Sequence, residues 1–421
     1  MNKSNSLLAG CRVLDLTDEL GLLTGKILGD FGADVIKVER PGGDTARNIG
    51  PFYGETPDPE KSLFWFATNT SKRGITLDIE NREGIELFKR LVKSADIVLE
   101  SFEPGYLDGL GLGYSDMAAI KADIILTSIT PFSQTGPYAH YRATDLVGAA
   151  MGGLVRILGD LGRPPVRMSC DPQAYLHAGL QGAMASTLAY YHQQLTGEGQ
   201  HVDVSMQDAV ILTLMNTVEI AEYLKANMIG TGQFFLAPKK DGVLTTRIIQ
   251  KCKDGHAYVT VGGGAFLGMA RSSQNLVNWA NEEGLSLELK KIDWTQWDGM
   301  SATQKDNDWR DNQIGEFIQT KTKAEIMEGA VKRGIMMAPC NNIEDVINNP
   351  HLRERGFWET VEHPELGKSL TYTGAPVKME GDAWKIRRRA PLVGEHNQEV
   401  FQGELGLSEE QMGLLKANGV I

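Results

Sequence analysis

The chain is poor in several features that would each assign it to a recognisable class of protein. It has four cysteines in 421 residues, Cys11, Cys170, Cys252 and Cys340, and no two of them form a C-x-x-C pair. Neither a zinc clip nor a dithiol redox motif is indicated, and we expect no metal site. Free thiols are typical of a reducing compartment, so we expect a cytoplasmic protein.

Positively charged residues are also relatively few. The 42 lysines and arginines are outnumbered by 54 aspartates and glutamates, which gives a formal net charge of −12. Because nucleic-acid binders ordinarily carry a basic surplus, we expect no nucleic-acid partner. We expect no membrane partner either, since the N-terminal segment has no apolar signal core and no later run is long enough to span a bilayer.

Common nucleotide-binding and hydrolase motifs are missing from the sequence. There is no Walker loop, H-E-x-x-H, G-x-S-x-G or EF-hand pattern, and no clean G-x-G-x-x-G follows the first predicted strand. The segment Gly21-Leu22-Leu23-Thr24-Gly25 is a poor substitute for that glycine fingerprint. The sequence therefore gives little support to the hypothesis of a nicotinamide-dependent oxidoreductase.

The first half of the chain alternates strand and helix patterns. Strands are predicted at 12–16, 34–39, 75–79 (as an edge strand or a hairpin arm), 97–99, 124–126 and 201–204. Helices are predicted at 20–31, 85–92, 143–155, 172–194 and 207–225. Strands separated by helices of this length predict an α/β fold with a parallel sheet covered on both faces.

The pattern changes from about Gly230. Residues 230–242 are rich in Gly, Pro and Lys and predict a linker. Residues 246–261 predict two antiparallel strands joined by the turn Lys253-Asp254-Gly255. The triplet Gly262–Gly264 favours a flexible loop over a ligand contact, and 334–340 predicts a return crossing.

One carboxylate stands out by its position. Asp171 lies between the proline-containing loop Pro164–Cys170 and the small-residue run Ala178–Thr187. Pro172 suits the first position of a helix, which would make Asp171 the N-cap residue. The positive end of a helix favours an ionised carboxylate, and such a group could attack an activated acyl group. The local sequence alone favours a cap without a catalytic role.

Arg40 follows the second predicted strand directly, in the segment Arg40-Pro41-Gly42. Ligands of open α/β sheets bind outside the carboxyl ends of the strands. Arginine is well suited to hold a phosphate there. The residue pattern leaves an ordinary surface arginine equally open.

Five segments, in a fixed order along the chain, resemble a known family. They are Lys37–Gly42 (KVERPG), Lys72–Asp78 (KRGITLD), Glu100–Gly105 (ESFEPG), Met206–Ala209 (MQDA) and Ala390–His396 (APLVGEH). Together they are similar to segments of the family III CoA-transferases, the CaiB/BaiF group that contains formyl-CoA:oxalate and crotonobetainyl-CoA:carnitine CoA-transferases. The resemblance runs from about residue 8 to the C-terminus and is weak between about 225 and 330.

The resemblance implies a fold and an assembly. It implies a Rossmann-like large domain formed by both chain ends, here 1–228 and 335–421, and a smaller central α+β domain at 229–334. It also implies an interlocked dimer, with the active site at a domain and subunit interface. The subunits could be identical, or the partner could be a homologous chain.

The resemblance also assigns roles to residues. The catalytic aspartate of the family falls on Asp171. The positions that contact CoA fall on Arg40, Leu77, Asp78, Ser101, Phe102, Glu103 and Arg142. Two positions depart from the pattern: Cys170 stands where many transferases have a glycine, and Gly109 stands where the oxalate enzyme has a CoA-contacting arginine.

This resemblance implies that the chain moves CoA from a donor acyl-CoA, with succinyl-CoA as the candidate donor, to a small carboxylic acid. No cofactor is permanently bound, since the CoA thioester is a substrate. A carboxylate nucleophile would divide the exchange into steps, through an aspartyl anhydride and an aspartyl-CoA thioester.

Two alternatives stay open at the level of the sequence. The same family contains acyl-CoA racemases, which need a histidine near Thr144, and threonine cannot remove an α-proton at neutral pH. The chain could also be one subunit of a hetero-oligomeric transferase. The presence of Asp171 favours the active subunit in that case.

Overall fold

A computed structural model describes residues 6–239, 242–285, 287–297, 302–381 and 383–421. The chain divides into two units. The large unit comprises Met1–Val155, Arg167–Ala226 and Glu354–Ile421, so both ends of the chain contribute to it. The small unit comprises Arg156–Val166 and Asn227–Arg353.

Six parallel strands form the centre of the large unit. They are β1 (Arg12–Asp15), β2 (Asp34–Glu39), β3 (Lys72–Thr76), β4 (Ile97–Glu100), β5 (Ile125–Thr130) and β6 (Gln200–Ser205). Their spatial order is β3-β2-β1-β4-β5-β6, and each neighbouring pair is parallel. This Rossmann-type order has its topological switch point between β1 and β4. The predicted parallel sheet is confirmed.

Both faces of this sheet are buried, which explains the apolar runs in its strands. Alternate side chains point to opposite faces, so Leu14 and Val98 join one core while Val13 and Ile97 join the other. The first core is completed by two helices and by the C-terminal segment, through residues such as Phe88 and Phe401. The two chain ends are therefore packed into one hydrophobic core.

In the sequence before β7, the described part of the large unit contains nine α-helices. They are α1 (Leu22–Asp30), α2 (Leu63–Thr68), α3 (Arg82–Val92), α4 (Tyr106–Gly109), α5 (Tyr114–Ile120), α6 (Asp145–Met151), α7 (Gln173–Thr196), α8 (Met206–Leu212) and α9 (Met215–Leu224). Helices α3 and α5 cover one face of the sheet, and α1 and α7 pack together against the other.

Close packing of α7 depends on its small residues. A Cβ at Gly179 would lie 2.8 Å from Cβ of Leu23, and one at Gly182 would lie 2.6 Å from Oγ1 of Thr24. The Thr24 hydroxyl donates a hydrogen bond of 2.9 Å to the Gly179 carbonyl. The small-residue run therefore brings α7 into contact with α1 beneath the carboxyl edge of the sheet.

Two predicted elements of this unit differ in detail. The edge strand lies at Lys72–Thr76 rather than 75–79, because Lys72 and Arg73 are buried by ion pairs while Leu77 and Ile79 are buried beyond the strand end. It is an edge strand and not a hairpin arm. The predicted helix 207–225 is two helices, because Leu214 leaves the helical conformation.

The small unit contains five strands and five helices within its described residues. Its strands are β7 (Phe234–Lys239), β8 (Gly242–Arg247), β9 (Ile249–Cys252), β10 (Gly255–Val259) and β11 (Met337–Cys340). Its helices are α10 (Leu267–Glu282), α11 (Gln304–Ile318), α12 (Lys323–Arg333), α13 (Ile343–Ile347) and α14 (Pro350–Glu354), whose last residue falls in the large unit. The strand order β11-β10-β9 is antiparallel, and β7 and β8 form a separate hairpin.

The predicted turn at Lys253–Gly255 is confirmed, since Cys252 pairs with Gly255. The predicted linker at 230–242 is largely the hairpin β7–β8, with residues 240–241 outside the described ranges. The predicted return crossing at 334–340 contains β11, which pairs with β10. The small unit therefore continues to Arg353 rather than ending at residue 334.

The glycine triplet of the small unit is held by packing rather than being a flexible loop. A Cβ at Gly263 would lie 1.8 Å from the carbonyl oxygen of Trp294. The Gly264 N–H donates to the same carbonyl at 2.9 Å. The absence of side chains at 262–264 allows this close approach to the tryptophan segment.

The C-terminal segment returns to the large unit. It forms the hairpin β12 (Trp358–His363) and β13 (Lys368–Thr373), and then the predicted terminal helix α15 (Glu409–Ala417). The Asp78 N–H donates to the Val420 carbonyl at 2.8 Å, which ties the chain end to the segment after β3. No helix within the described ranges combines the length and apolar character that crossing a membrane requires.

Candidate active site

A cavity of about 430 Å³ opens at the carboxyl ends of β1 to β4. Its walls include Leu16 and Asp18 after β1, Arg40 after β2, Leu77 after β3, and Phe102 after β4. We call it the main cavity. It spans the switch point between β1 and β4, the place where open α/β sheets bind their ligands.

A second cavity, of about 130 Å³, shares Asp18 and Phe102 with the first. We call it the side cavity. Arg142 and Tyr175 belong to its walls, so it reaches from the sheet edge to the first turn of α7. The two cavities are therefore neighbours through two shared lining residues, and the side cavity is lined by the first turn of the helix that Asp171 precedes.

The seven residues predicted to contact CoA line these two cavities. Arg40, Leu77 and Asp78 line the main cavity, Phe102 lines both, and the side cavity is lined by Ser101, Glu103 and Arg142. Residues far apart in sequence are thus brought together. Their contact with CoA stays a prediction.

Arg40 is the cationic side chain among the main cavity's described lining residues, and it is exposed. The wall beside it is aromatic: the rings of Phe102 and Tyr106 lie 4.6 Å apart, and the Tyr106 hydroxyl donates to Glu80 at 2.7 Å. Burial and this hydrogen bond raise the pKa of Tyr106 to about 12, so it stays a neutral donor at physiological pH. A flat, partly polar wall next to one guanidinium suits a nucleotide with phosphates.

The acidic residue at the end of β2 is already occupied. Glu39 accepts from Arg47 at 2.6 and 2.8 Å, and the Arg47 guanidinium lies 3.9 Å from the Trp65 ring centroid. In dinucleotide-binding folds the acidic residue in this region receives the ribose hydroxyls. The bidentate pair with Arg47 commits Glu39 to structure and agrees with the missing glycine fingerprint.

Buried ion pairs support the strand ends beneath the main cavity. Lys72 lies 2.8 Å from Asp15, and Lys37 lies 3.0 Å from Asp44. The cations of Lys72 and Lys37 hold the pKa of Asp15 below its usual range despite its burial. A Cβ at Gly25 would lie 2.1 Å from the Asp15 carboxylate, so α1 can pack here because position 25 has no side chain.

Asp171 is not the N-cap of α7. The helix begins at Gln173, and Pro172 occupies the cap position with φ −75° and ψ 91°. The N–H groups of Ala174 and Tyr175 are instead bonded to the Asp145 carboxylate of α6 at 2.7 and 3.2 Å. The prediction failed because this cap comes from another helix.

The loop before α7 is ordered by its own hydrogen bonds. The Asp171 N–H donates to the Ser169 hydroxyl at 3.0 Å, and Arg167 donates to the Cys170 carbonyl at 2.9 Å. The side chain of Asp171 is exposed in the single chain. Its carboxylate takes part in none of the hydrogen bonds or ion pairs found among the described residues.

A family model for CoA-transferase family III matches residues 8–397. The chain belongs to CoA-transferase family III. The resemblance drawn from the five sequence segments is confirmed, and this CoA-transferase acts in CoA transfer between acyl-CoA thioesters and carboxylic acids.

Known proteins similar to this CoA-transferase match nearly its whole length. Subunit BbsE of succinyl-CoA:(R)-benzylsuccinate CoA-transferase from Thauera aromatica is 34% identical, over 93% of this chain and 92% of that protein. Formyl-CoA:oxalate CoA-transferase from Streptomyces avermitilis is 30% identical, over 98% and 99% respectively. A crystal structure of a CAIB/BAIF family protein from Brucella suis matches with a TM-score of 0.79 at 27% identity, over 95% and 100%.

Sequence reasoning missed several lining residues of this CoA-transferase. Asp18 and Glu19 follow β1, and the rule that ligands bind at carboxyl strand ends could have found them. Burial raises the pKa of both carboxyl groups. Tyr175 also lines the side cavity, and no local signal points to it because a contact between α7 and the strand ends is set by the fold.

A third cavity, of about 210 Å³, lies beside β4 and β5 and is lined by Glu100, Ser128 and His201. The Ser128 hydroxyl and His201 Nε2 are 2.8 Å apart, and the Phe102 N–H donates to Glu100 at 2.6 Å. Burial raises the pKa of Glu100 to about 7 and lowers that of His201. A buried, protonatable carboxyl group therefore lies at the end of β4, next to the segment predicted to contact CoA.

Proposed function

We propose that this CoA-transferase takes CoA from succinyl-CoA, that its acceptor is a dicarboxylic or aryl-substituted acid, and that Asp171 is the nucleophile. The donor and acceptor classes are supported by relatives named for succinyl-CoA with (R)-benzylsuccinate and with L-malate, and by one named for succinate and glutarate. The nucleophile is supported by one observation above all. The Asp171 carboxylate accepts no hydrogen bond among the described residues, because Asp145 caps α7, and it lies just before the helix whose first turn lines the side cavity.

In this proposal the nucleotide of CoA lies in the main cavity, with Arg40 at its phosphates. The pantetheine arm passes Phe102 into the side cavity and brings the thioester toward the start of α7. Arg142 is held by Glu103 at 2.5 Å, with its side chain 87% exposed. We expect this exposed pair to rearrange when CoA enters, because exposed ion pairs contribute little stability.

The chemistry conserves one thioester at each turnover. Asp171 attacks the succinyl thioester, which forms a succinyl-aspartyl anhydride and releases CoA thiolate. The thiolate attacks the aspartyl carbonyl, which forms aspartyl-CoA and releases succinate. The acceptor carboxylate attacks aspartyl-CoA to form a second anhydride, and the returning thiolate takes the acceptor's acyl group and restores Asp171.

Each anhydride must be kept from water, yet Asp171 is exposed in the single chain. A second subunit would supply this cover in the interlocked dimer. Helix α7 supports such a contact through apolar side chains on its exposed face, Leu180, Met184, Leu188, Tyr191 and Leu195. The partner is a second copy or a homologous chain, and relatives described as subunits support the latter arrangement. We place the reaction in the cytoplasm.

The test is an assay of CoA transfer from succinyl-CoA to benzylsuccinate, malate, glutarate and oxalate. We expect Asp171→Ala and Asp171→Asn to lower kcat by about 1000-fold or more, since removing a nucleophile eliminates its covalent route. Asp308→Ala, which removes an exposed carboxylate of α11, is the control and should keep full activity. Near-normal transfer by Asp171→Ala would overturn the assignment.

The assay is run on the chain alone and with a co-expressed homologous neighbour. Activity of the chain alone supports a homo-oligomer, and activity only in the mixture supports a heteromer. Failure of both preparations to transfer CoA from succinyl-CoA would overturn the proposed donor.

A further inference from the structure

We propose that Asp145 is a positioning residue that keeps Asp171 available for acyl transfer by capping α7 in its place. The inference rests on the proposed role of Asp171. It assigns a function to a side chain that belongs to another helix and lies 29 residues from the first hydrogen-bond donor that it binds.

Helix α7 has no cap of its own. The first turn of any α-helix leaves backbone N–H groups without partners inside the helix. The cap position is Pro172, whose side chain accepts no hydrogen bond. A 24-residue helix therefore begins beside the candidate nucleophile with its first donors unsatisfied by the local sequence.

Asp145 satisfies these donors from α6. One of its carboxylate oxygens accepts from the N–H of Ala174 at 2.7 Å and from that of Tyr175 at 3.2 Å. These are the second and third residues of the helix, the same positions that an N-cap side chain ordinarily binds. Asp145 is half-buried and Ala174 is fully buried, so this cap is sheltered from competing water.

The consequence concerns the neighbouring carboxylate. Asp171 lies three residues before Ala174, and aspartate is among the residues most often found capping a helix start. If the two N–H groups were free, they would attract the Asp171 carboxylate. A carboxylate that accepts those bonds is turned toward the helix axis and has fewer lone pairs for a thioester carbon. Because Asp145 already holds both donors, the side chain of Asp171 is left for chemistry.

Asp145 also connects two parts of the site. It lies two residues after Ala143, the last residue of the segment Tyr141–Ala143 that lines the side cavity. The helix that it caps carries Tyr175, which belongs to the same lining. One carboxylate thus fixes the loop that flanks the thioester path relative to the helix that follows the nucleophile.

The test compares Asp145→Asn with Asp145→Ala in transfer from succinyl-CoA. Asparagine keeps an acceptor oxygen for the two N–H groups, whereas alanine removes it. We expect Asp145→Ala to lower kcat by about 100-fold, the order of loss that misplacing a reacting group produces. Its KM for succinyl-CoA should change less than about threefold, because the main cavity is untouched. Asp145→Asn should recover most of kcat.

Thr322→Ala is the matched control, because Thr322 caps α12 in the small unit through a bond to the Glu325 N–H. It should lower the melting temperature about as much as Asp145→Ala does and leave kcat unchanged. A normal kcat for Asp145→Ala, alongside an inactive Asp171→Ala, would overturn the role of Asp145 alone. Equal losses of kcat in Asp145→Asn and Asp145→Ala would also overturn it. Activity in Asp171→Ala would instead overturn the proposed nucleophile.

Discussion

Charged residues at the carboxyl ends of the strands fall into two groups. Asp15, Lys37 and Glu39 are buried in ion pairs that fix the strand ends. Arg40 follows Glu39 directly, but its side chain is exposed at the main cavity. Glu39, which is buried in an ion pair, and Arg40, which is exposed, thus separate structural support from the predicted ligand contact within two residues.

Arg40→Ala should weaken acyl-CoA binding without slowing the chemical step. A hydrogen bond to a charged group contributes about 1.5 to 3 kcal/mol, so we expect KM for succinyl-CoA to rise about tenfold or more. In the proposed arrangement this contact is remote from the thioester and is made equally before and during the reaction, so kcat should stay unchanged. Steady-state kinetics would show this split.

Arg355→Ala removes an exposed arginine outside both cavities and should leave KM unchanged. A fall in kcat at constant KM for Arg40→Ala would show that Arg40 acts on the reacting groups instead.

Glu100 should make the stability of the large unit depend on pH. In the folded chain burial keeps Glu100 protonated up to about pH 7, whereas the unfolded chain loses this proton near pH 4.5. The folded state therefore binds more protons between these values. The stabilisation is complete below the unfolded pKa and is lost as the pH rises through about 7.

Glu100→Gln should remove this dependence, which amounts to at most about 3 kcal/mol. Urea unfolding at pH 5 and pH 8 measures it: the free energy of unfolding should fall less with pH in Glu100→Gln than in the natural protein. Glu86→Gln, at an exposed position of α3, is the control. The account of Glu100 would be wrong if both variants kept the natural pH dependence.

Where the chain supplies a local signal, sequence reasoning selected residues that the fold brings to one cavity. Arg40, Leu77 and Phe102 each lie just beyond a predicted strand or in a recognised segment, and the fold gathers them at one edge. It failed at the cap of α7, because Asp145 and Ala174 meet only when α6 and α7 pack. When a residue of one helix caps another helix, the two contacting residues have no characteristic spacing in the sequence, so the contact cannot be predicted from it.

At the scale of elements, α7 has two different faces. Its buried face is made of small residues that pack against α1, while its exposed face carries leucine, methionine and tyrosine at helical spacing. Exposed apolar stripes of this kind mark interaction surfaces. The stripe begins at Leu180, about two turns into α7, and supports the proposed second subunit.

Leu188→Asp tests this face, since it places a charge at the middle of the stripe. Burying an unpaired charge in an interface is costly, so we expect the proposed dimer to dissociate and transfer activity to fall with it. Analytical ultracentrifugation measures the mass. Leu414→Asp, at an exposed leucine of α15, should leave the mass unchanged. An unchanged mass for Leu188→Asp would place the subunit contact elsewhere.

Elements with a clear period were predictable, and those shaped by long-range contact were not. The apolar runs of β1, β2 and β4 and the helical spacing of apolar residues in α3 located these elements to within a few residues. The hairpin β7–β8 was missed because its Gly- and Pro-containing sequence is typical of a linker. The start of β3 was missed because Lys72 and Arg73 are buried by partners distant in sequence.

At the scale of the whole molecule, the strand order explains why the site lies where it does. The order β3-β2-β1-β4-β5-β6 opens a crevice at the carboxyl edge, and residues after four strands line the cavity there. The C-terminal segment packs into the same unit, which explains why a family segment at Ala390–His396 belongs with one at Lys72–Asp78. The family model matches residues 8–397, so it includes segments from both ends of the chain that pack into the large unit.

The central claim is that Asp171 carries the acyl group and then CoA as a covalent intermediate. Mass spectrometry of the protein incubated with succinyl-CoA and quenched with hydroxylamine tests it most directly, because hydroxylamine converts an aspartyl thioester or anhydride into a stable hydroxamate. We predict a hydroxamate on the peptide that contains Asp171, absent without succinyl-CoA and absent in Asp171→Asn. A hydroxamate on another peptide, or none in a preparation that transfers CoA at the full rate, would contradict the account.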